Sequence, residues 1–241
     1  MVSKFKARKV RNQSEPAILV ICEDSKSGKR YLDHAKNHFV IRNEVLKIQH
    51  LGITAPQAII EKALSFRTQF DEIYCVIDND NDGENFQAAL KKASQSANVK
   101  VIASAPCFEI WLLLHAVGFT REKYDSKSGH RPVLDALRKQ PNMKNYDKCE
   151  DRNLFNLLLG QLADARQTST LMLAHALNCR DANGERMLTT SQAQLDLLKQ
   201  NGVLTPCLEG RMNPSSQLHL LMDVFETLST RNKQPQPLCP K

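Results

Sequence analysis

Between residues 17 and 103, short uninterrupted apolar runs alternate four times with amphipathic stretches, and this alternation limits the fold more than any other feature. Ala17-Ile18-Leu19-Val20-Ile21-Cys22 has no polar position, the pattern of a strand buried on both faces. Lys29 to Phe39 then sets Tyr31, Leu32, Ala35 and Phe39 at helical spacing. Glu44 to Ile48 reads as a second strand. Pro56 suits a first helical turn and opens a helix through Ile59, Ile60, Ala63, Leu64 and Arg67. Ile73 to Ile77 is a third strand, Glu84 to Ala97 an amphipathic helix, and Val99 to Ala103 a fourth strand. Such a sequence predicts an α/β fold, a parallel sheet with right-handed crossovers and helices on both faces.

From Cys107 the pattern changes to helices alone. They are expected at Cys107–His115, Leu134–Lys139, Arg152–Ala163, Ser169–Leu177, Gln192–Lys199 and Ser215–Leu228, with a polar loop over 120–131. The predicted organisation is a basic flexible arm (1–15), an α/β core (16–119), a helical C-terminal region (120–231) and a Pro-rich tail (232–241). One hydrophobic core could serve both central regions. No internal repeat is present.

With 41% apolar residues the chain of 241 has material for a sizeable core. Its 33 Lys and Arg against 26 Asp and Glu give a net charge of +7, which favours polyanionic partners without identifying one. Lys4, Lys6, Arg8, Lys9 and Arg11 form a local basic run, readable as a solvated arm or as a phosphate-contacting one. No window approaches the roughly 18 apolar residues of a membrane span, and the basic N-terminus lacks a signal peptide's apolar stretch. Seven cysteines, an odd number with no CxxC pair, argue against a disulfide framework and a zinc site. These traits predict a cytoplasmic protein with no membrane partner.

The strongest chemical signal is Asp78-Asn79-Asp80-Asn81-Asp82-Gly83, directly after the third strand. Ligands of open parallel sheets bind beyond the carboxyl ends of the strands. In extended backbone, residues two apart point the same way, so Asp78 and Asp80 would present two carboxylates to one side. Hard oxygen ligands of this kind suit Mg²⁺ or Mn²⁺. An Asx-rich turn capping the next helix is the plainer alternative. A calcium loop would need an acidic residue at position 89, which is Ala. Glu23 closes the first strand as Asp78 closes the third, and these strands are usually neighbours in a doubly wound sheet. Glu23, Asp78 and Asp80 are therefore the candidate catalytic and metal-ligating residues, with Asp82, Glu109 and His115 as possible additions. Glu109 among apolar neighbours could face this site, cap a helix or form an ion pair; His115 could be structural. Ser25-Lys26-Ser27-Gly28-Lys29 does not meet the phosphate-loop pattern. Lys26, Lys29 and Arg30 at a helix start remain candidates for contacting nucleic-acid phosphates.

A strand ending in Glu followed by one ending in Asp-x-Asp is similar to the Toprim domain of topoisomerases, primases and related nucleases. More specifically, the chain resembles the RloB-like family. The matching pieces are Ile21-Cys22-Glu23-Asp24 with Tyr31, Val76-Ile77-Asp78-Asn79-Asp80, Pro106-Cys107-Phe108-Glu109-Ile110-Trp111-Leu112-Leu113-Leu114-His115, Tyr146-Asp147-Lys148 and Asn213-Pro214-Ser215-Ser216-Gln217-Leu218-His219. Many members follow the first Glu with Gly and a Thr-Glu pair, so any second acidic helper here would be Asp24. The resemblance implies a Toprim-like, Mg²⁺- or Mn²⁺-dependent nuclease of bacterial antiphage defence, paired in abortive infection with an ABC/AAA-like ATPase. In that reading Asp78 and Asp80 hold metal and Glu23 does acid/base work. RNA, tRNA in particular, is the expected substrate, by analogy with growth arrest through a translation block. The alternative is a non-catalytic sensor or adaptor that binds nucleic acid or a phage protein for the ATPase.

Overall fold

The structure, a computed structural model, describes residues 16–79, 83–116, 130–148, 152–178 and 215–233. The expected arm and the Gln192–Lys199 helix lie outside these residues, as do Asp80, Asp82, positions 120–129 of the expected 120–131 loop and positions 234–241 of the expected 232–241 tail, whose first two residues instead continue the last helix. Three strand–helix units come first: β1 (Ile18–Cys22) with α1 (Gly28–His38), β2 (Leu46–Gln49) with α2 (Pro56–Ser65), and β3 (Glu72–Asp78) with α3 (Gly83–Ala93). β4 (Val99–Ala105) and α4 (Glu109–Leu114) follow, then α5 (Arg131–Arg138), α6 (Arg152–Leu159) and α7 (Leu162–Asn178). β5 (Ser215–Ser216) and α8 (Leu218–Lys233) end the described chain.

The sheet order is β2-β1-β3-β4-β5. The first four strands are parallel, and β5 joins β4 antiparallel. The α/β fold expected from the alternation is present, and β1 and β3 are neighbours. Partners across a parallel ladder share a face, which sorts the core in two. Ile18, Val20, Cys22, Tyr74, Val76 and Ile102 face α1, α4 and the later helices. Leu19, Ile21, Ile73, Cys75, Ile77, Val99 and Val101 face Ile59, Ile60 and Ala63 of α2 and Phe86, Ala89 and Leu90 of α3. Asp78 continues the series Tyr74, Val76 and pairs in register with Ser104, so it leaves the sheet on the α1–α4 side.

The largest departures from expectation are in the later helices. The predicted Arg152–Ala163 helix breaks after Leu159, where Gly160, a weak helix former, turns its N–H to the carbonyls of Asn156 and Leu157. The next helix then runs without interruption from Leu162 through the predicted Ser169–Leu177 segment. The helix expected over Ser215–Leu228 begins instead at Leu218, and Ser215 and Ser216 form β5. Ser216 still contributes at the helix start, its hydroxyl accepting the Leu218 N–H at 3.4 Å.

Candidate functional site

The site begins with the ends of two adjacent strands. The Glu23 N–H still bonds the Val76 carbonyl at 3.0 Å, so this residue leaves β1 alongside β3. Its Oε2 accepts the Asp78 backbone N–H at 2.8 Å. One hydrogen bond thus fixes the carboxylate of β1 against the end of β3. Both side chains are half-buried. The Asp78 carboxyl is pushed well above the usual carboxylate range, first by removal from water, then by Glu23 and Glu109. The Phe108 N–H and the Lys148 ammonium act in the opposite direction but do not cancel it. Carboxylates forced together in this way favour a shared proton or a cation.

Glu109 opens α4 and is fully buried. Its Oε1 accepts the Ser27 hydroxyl at 3.0 Å and the Tyr146 hydroxyl at 3.3 Å, and lies 3.1 Å from the Lys148 ammonium. Its Oε2 has no hydrogen-bond partner among the described residues. Ser27 lies before α1, and Tyr146 and Lys148 follow α5. Burying a carboxylate without such partners would be costly. The ion-pair alternative for Glu109 is therefore present, and its charge still acts on Asp78.

Asp24 does different work. Its Oδ2 accepts the N–H groups of Ser27 at 2.5 Å and Gly28 at 2.8 Å and lies 2.6 Å from the Ser27 hydroxyl, whose single proton it shares with Glu109; its Oδ1 accepts the Lys26 N–H at 3.0 Å. Burial raises its carboxyl, but these hydrogen bonds outweigh burial and leave it below the ordinary value. Asp24 is thus the anion that occupies the start of α1. The N–H groups of Lys26, Ser27 and Gly28 are thereby taken by the protein's own carboxylate rather than offered to a phosphate. A Cβ on Gly28 would meet the Phe108 ring at 3.4 Å, so this turn and the start of α4 are in contact.

The other candidates are placed as follows. Lys26 is exposed and Arg30 half-buried, while Lys29 pairs with Asp33 along α1 at 2.6 Å. His115 lies in the core, its ring packed on Tyr31 and Trp111. Its Nδ1 donates to the Trp111 carbonyl at 2.9 Å, and its Nε2 meets the Tyr31 hydroxyl at 3.1 Å. Asp80, Asp82, Lys4, Lys6, Arg8, Lys9 and Arg11 fall outside the described residues. Among the described residues no group of three His, Cys, Asp or Glu is arranged to hold a metal ion. Glu23 and Asp78 are therefore the described part of the candidate ligand set. Cys22, Cys75 and Cys107 are buried thiols pushed strongly upward by desolvation, which keeps them protonated and poor as nucleophiles. Sequence reasoning gave no role to Ser27, Tyr146 or Lys148, although Tyr146-Asp147-Lys148 stood out as a recurring piece.

Among the described residues no helix is long and apolar enough to cross a membrane. Comparison with curated proteins and with solved structures finds no match. A sequence profile of the RloB-like proteins matches residues 18–223, most of the chain and every described element of the site. The chain belongs to the RloB-like protein family.

Proposed function

We propose that this protein is a metal-dependent, Toprim-like nuclease that hydrolyses nucleic-acid phosphodiesters, RNA and tRNA by preference, in bacterial antiphage defence under the control of an ATPase partner. The observation that carries this reading is the meeting of Glu23 and Asp78 at the carboxyl ends of neighbouring parallel strands, joined by a 2.8 Å hydrogen bond. Open parallel sheets bind their ligands at this edge. The donor set fits a hard divalent cation: oxygen ligands only, and mutual repulsion that a positive charge would relieve.

Asp78, with Asp80 beyond it in the sequence, would hold Mg²⁺ or Mn²⁺, and Glu23 borders the same point. When bound, such an ion supplies positive charge that offsets the charge of a phosphate and of the oxygen leaving it. The remaining work falls to the chain. Hydrolysis adds a hydroxyl to phosphorus, breaks one P–O bond and delivers a proton to the departing oxygen. Glu23, oriented by the Asp78 N–H, can take the proton from water and return it to that oxygen. With the N–H groups of Lys26, Ser27 and Gly28 engaged by Asp24, the strand ends are the expected point of entry for the nucleic-acid backbone.

The test is a cleavage assay of purified protein with tRNA, single-stranded RNA, single-stranded DNA and plasmid, in Mn²⁺ or Mg²⁺ and in EDTA, with and without the ATPase. Glu23→Gln and Asp78→Asn should fold and each lose at least about a hundredfold in rate, since positioned proton transfer and charge stabilisation contribute on that order. Full activity in either variant, or cleavage that survives EDTA, would sink this mechanism. Antiphage protection that persists in both variants would point to the adaptor.

A further inference from the structure

Lys148 combines three traits that a plain surface lysine lacks. First, its ammonium lies 3.1 Å from Glu109 Oε1 in an unequal pair: the glutamate side chain is 0% exposed and that of the lysine 39%. One side of the cation is held inside the protein while the other is open to solvent. Second, its backbone is left-handed, with φ +70°, a conformation costing a non-glycine residue about 1 kcal/mol. Strain of this kind persists where the surroundings fix the residue, and it gathers at functional sites. Third, Glu109 and Asp24 share the Ser27 hydroxyl, so the pair is connected to the turn that follows β1, and the lysine's charge acts on Asp78.

A polyanion approaching Glu23, Asp78 and Glu109 meets repulsion, and the neighbouring Lys29 ammonium is already engaged by Asp33. An ammonium has three N–H donors. Glu109 takes one, and no other acceptor among the described residues claims the rest. Tyr146 bonds the same glutamate oxygen at 3.3 Å and so anchors the turn that carries Lys148.

We propose that Lys148 binds a backbone phosphate of the nucleic acid at the carboxylate site, and that Glu109 is its positioning residue. This deepens the nuclease reading and rests on it for the identity of the ligand, but it can fail separately. The experiment measures binding of a labelled single-stranded RNA, and of DNA of the same sequence, by fluorescence anisotropy across a salt series in EDTA, where cleavage is silent. Lys148→Gln should weaken binding several-fold and lower the slope of log affinity against log salt by about 0.7, the loss of one phosphate contact on a single strand. Lys148→Arg should restore both. Lys148→Gln alone leaves a buried Glu109 unbalanced and could unfold, so the double variant Lys148→Gln/Glu109→Gln, which removes both charges, is measured beside it. It should fold, shown by its thermal transition, and keep the reduced slope. Lys100→Gln breaks another lysine–carboxylate pair, with Glu72 near the amino ends of β3 and β4, and should leave the slope unchanged. A double variant with wild-type affinity and slope overturns the assignment, and so does a wild-type protein that binds neither strand. Binding that depends on Lys148 in a protein that never cleaves would instead overturn the nuclease and leave Lys148 in place.

Discussion

At the scale of single residues, hydrogen-bond chemistry separates the candidates that are committed to the core from those at the strand ends. A carbonyl oxygen only accepts, so His115 Nδ1 must carry its proton toward Trp111, and Nε2 is left to accept from Tyr31. The ring is thus held neutral, and burial pushes its pKa down to about 4 from an ordinary 6.5. Between those values the unfolded chain binds a proton that the folded chain refuses. Stability is therefore fully present above pH 6.5 and lost as pH falls toward 4, by about 3 kcal/mol. Urea unfolding at pH 7.5 and pH 4.5 checks this. His115→Gln should show a smaller acid loss than the wild type by an amount of that order, and an identical loss would refute the assignment. The sequence made His115 a candidate because it ends a distinctive motif, but no spacing rule reveals a hydrogen bond to Tyr31, 84 residues away. Glu109 is a similar case. Its apolar neighbours signalled a carboxylate in need of a partner, whereas the identity of that partner as Lys148 depends on how α5 packs.

At the scale of elements, what was legible is what is local. The strands of the parallel sheet announce themselves as continuous apolar runs, and their helices as stripes at helical spacing, so β1 to β4 and α1 to α3 were readable. β5 was not. It has two residues, Ser215 and Ser216, neither a strand former, and exists because β4 presents an edge to be paired. Gln217 extends the pairing: its backbone N–H bonds the Ala103 carbonyl at 2.9 Å, and its side-chain Oε1 accepts the Ala103 N–H at 2.8 Å. Ser169 in α7 ties the same segment down, donating to the Ser216 carbonyl at 2.6 Å and accepting from His219 Nδ1 at 2.8 Å. These polar atoms are buried, so removing one partner exposes the desolvation cost of the other. Gln217→Leu, close in size, leaves the Ala103 N–H without its acceptor and should cost about 1–3 kcal/mol in chemical denaturation. A change below about 0.5 kcal/mol would mean that β4 keeps its edge without this residue. The split of α6 from α7 at Gly160 belongs to the same scale, since the apolar stripe crosses it and only the turn's backbone hydrogen bonds mark the break.

At the scale of the whole molecule, the question is whether the helical region is an addition or part of the core. The two faces of the sheet give different answers. Among the described residues, the face under α2 and α3 is closed by residues 19–103. The other face is one continuous cluster running from Ile18, Val20 and Tyr31 through Trp111 to Leu137, Phe155, Leu158, Leu221 and Phe225. Phe155 packs edge-on against Tyr31 at 5.9 Å, and Phe225 against Phe39 at 6.2 Å. Ending the chain after Ala116 would uncover that cluster and leave β4 an unpaired edge, a template for association. It would also remove Tyr146 and Lys148 and leave the Glu109 carboxylate buried with only Ser27 of its three Oε1 partners. A fragment of residues 16–116 should therefore keep much of its far-ultraviolet signal, bind a hydrophobic dye, aggregate at moderate concentration and unfold without a cooperative transition. A single sharp thermal transition in a monomeric fragment would show that the α/β half is an independent domain. It would also mean that Glu109, and with it the arrangement at the strand ends, does not depend on the helices that follow.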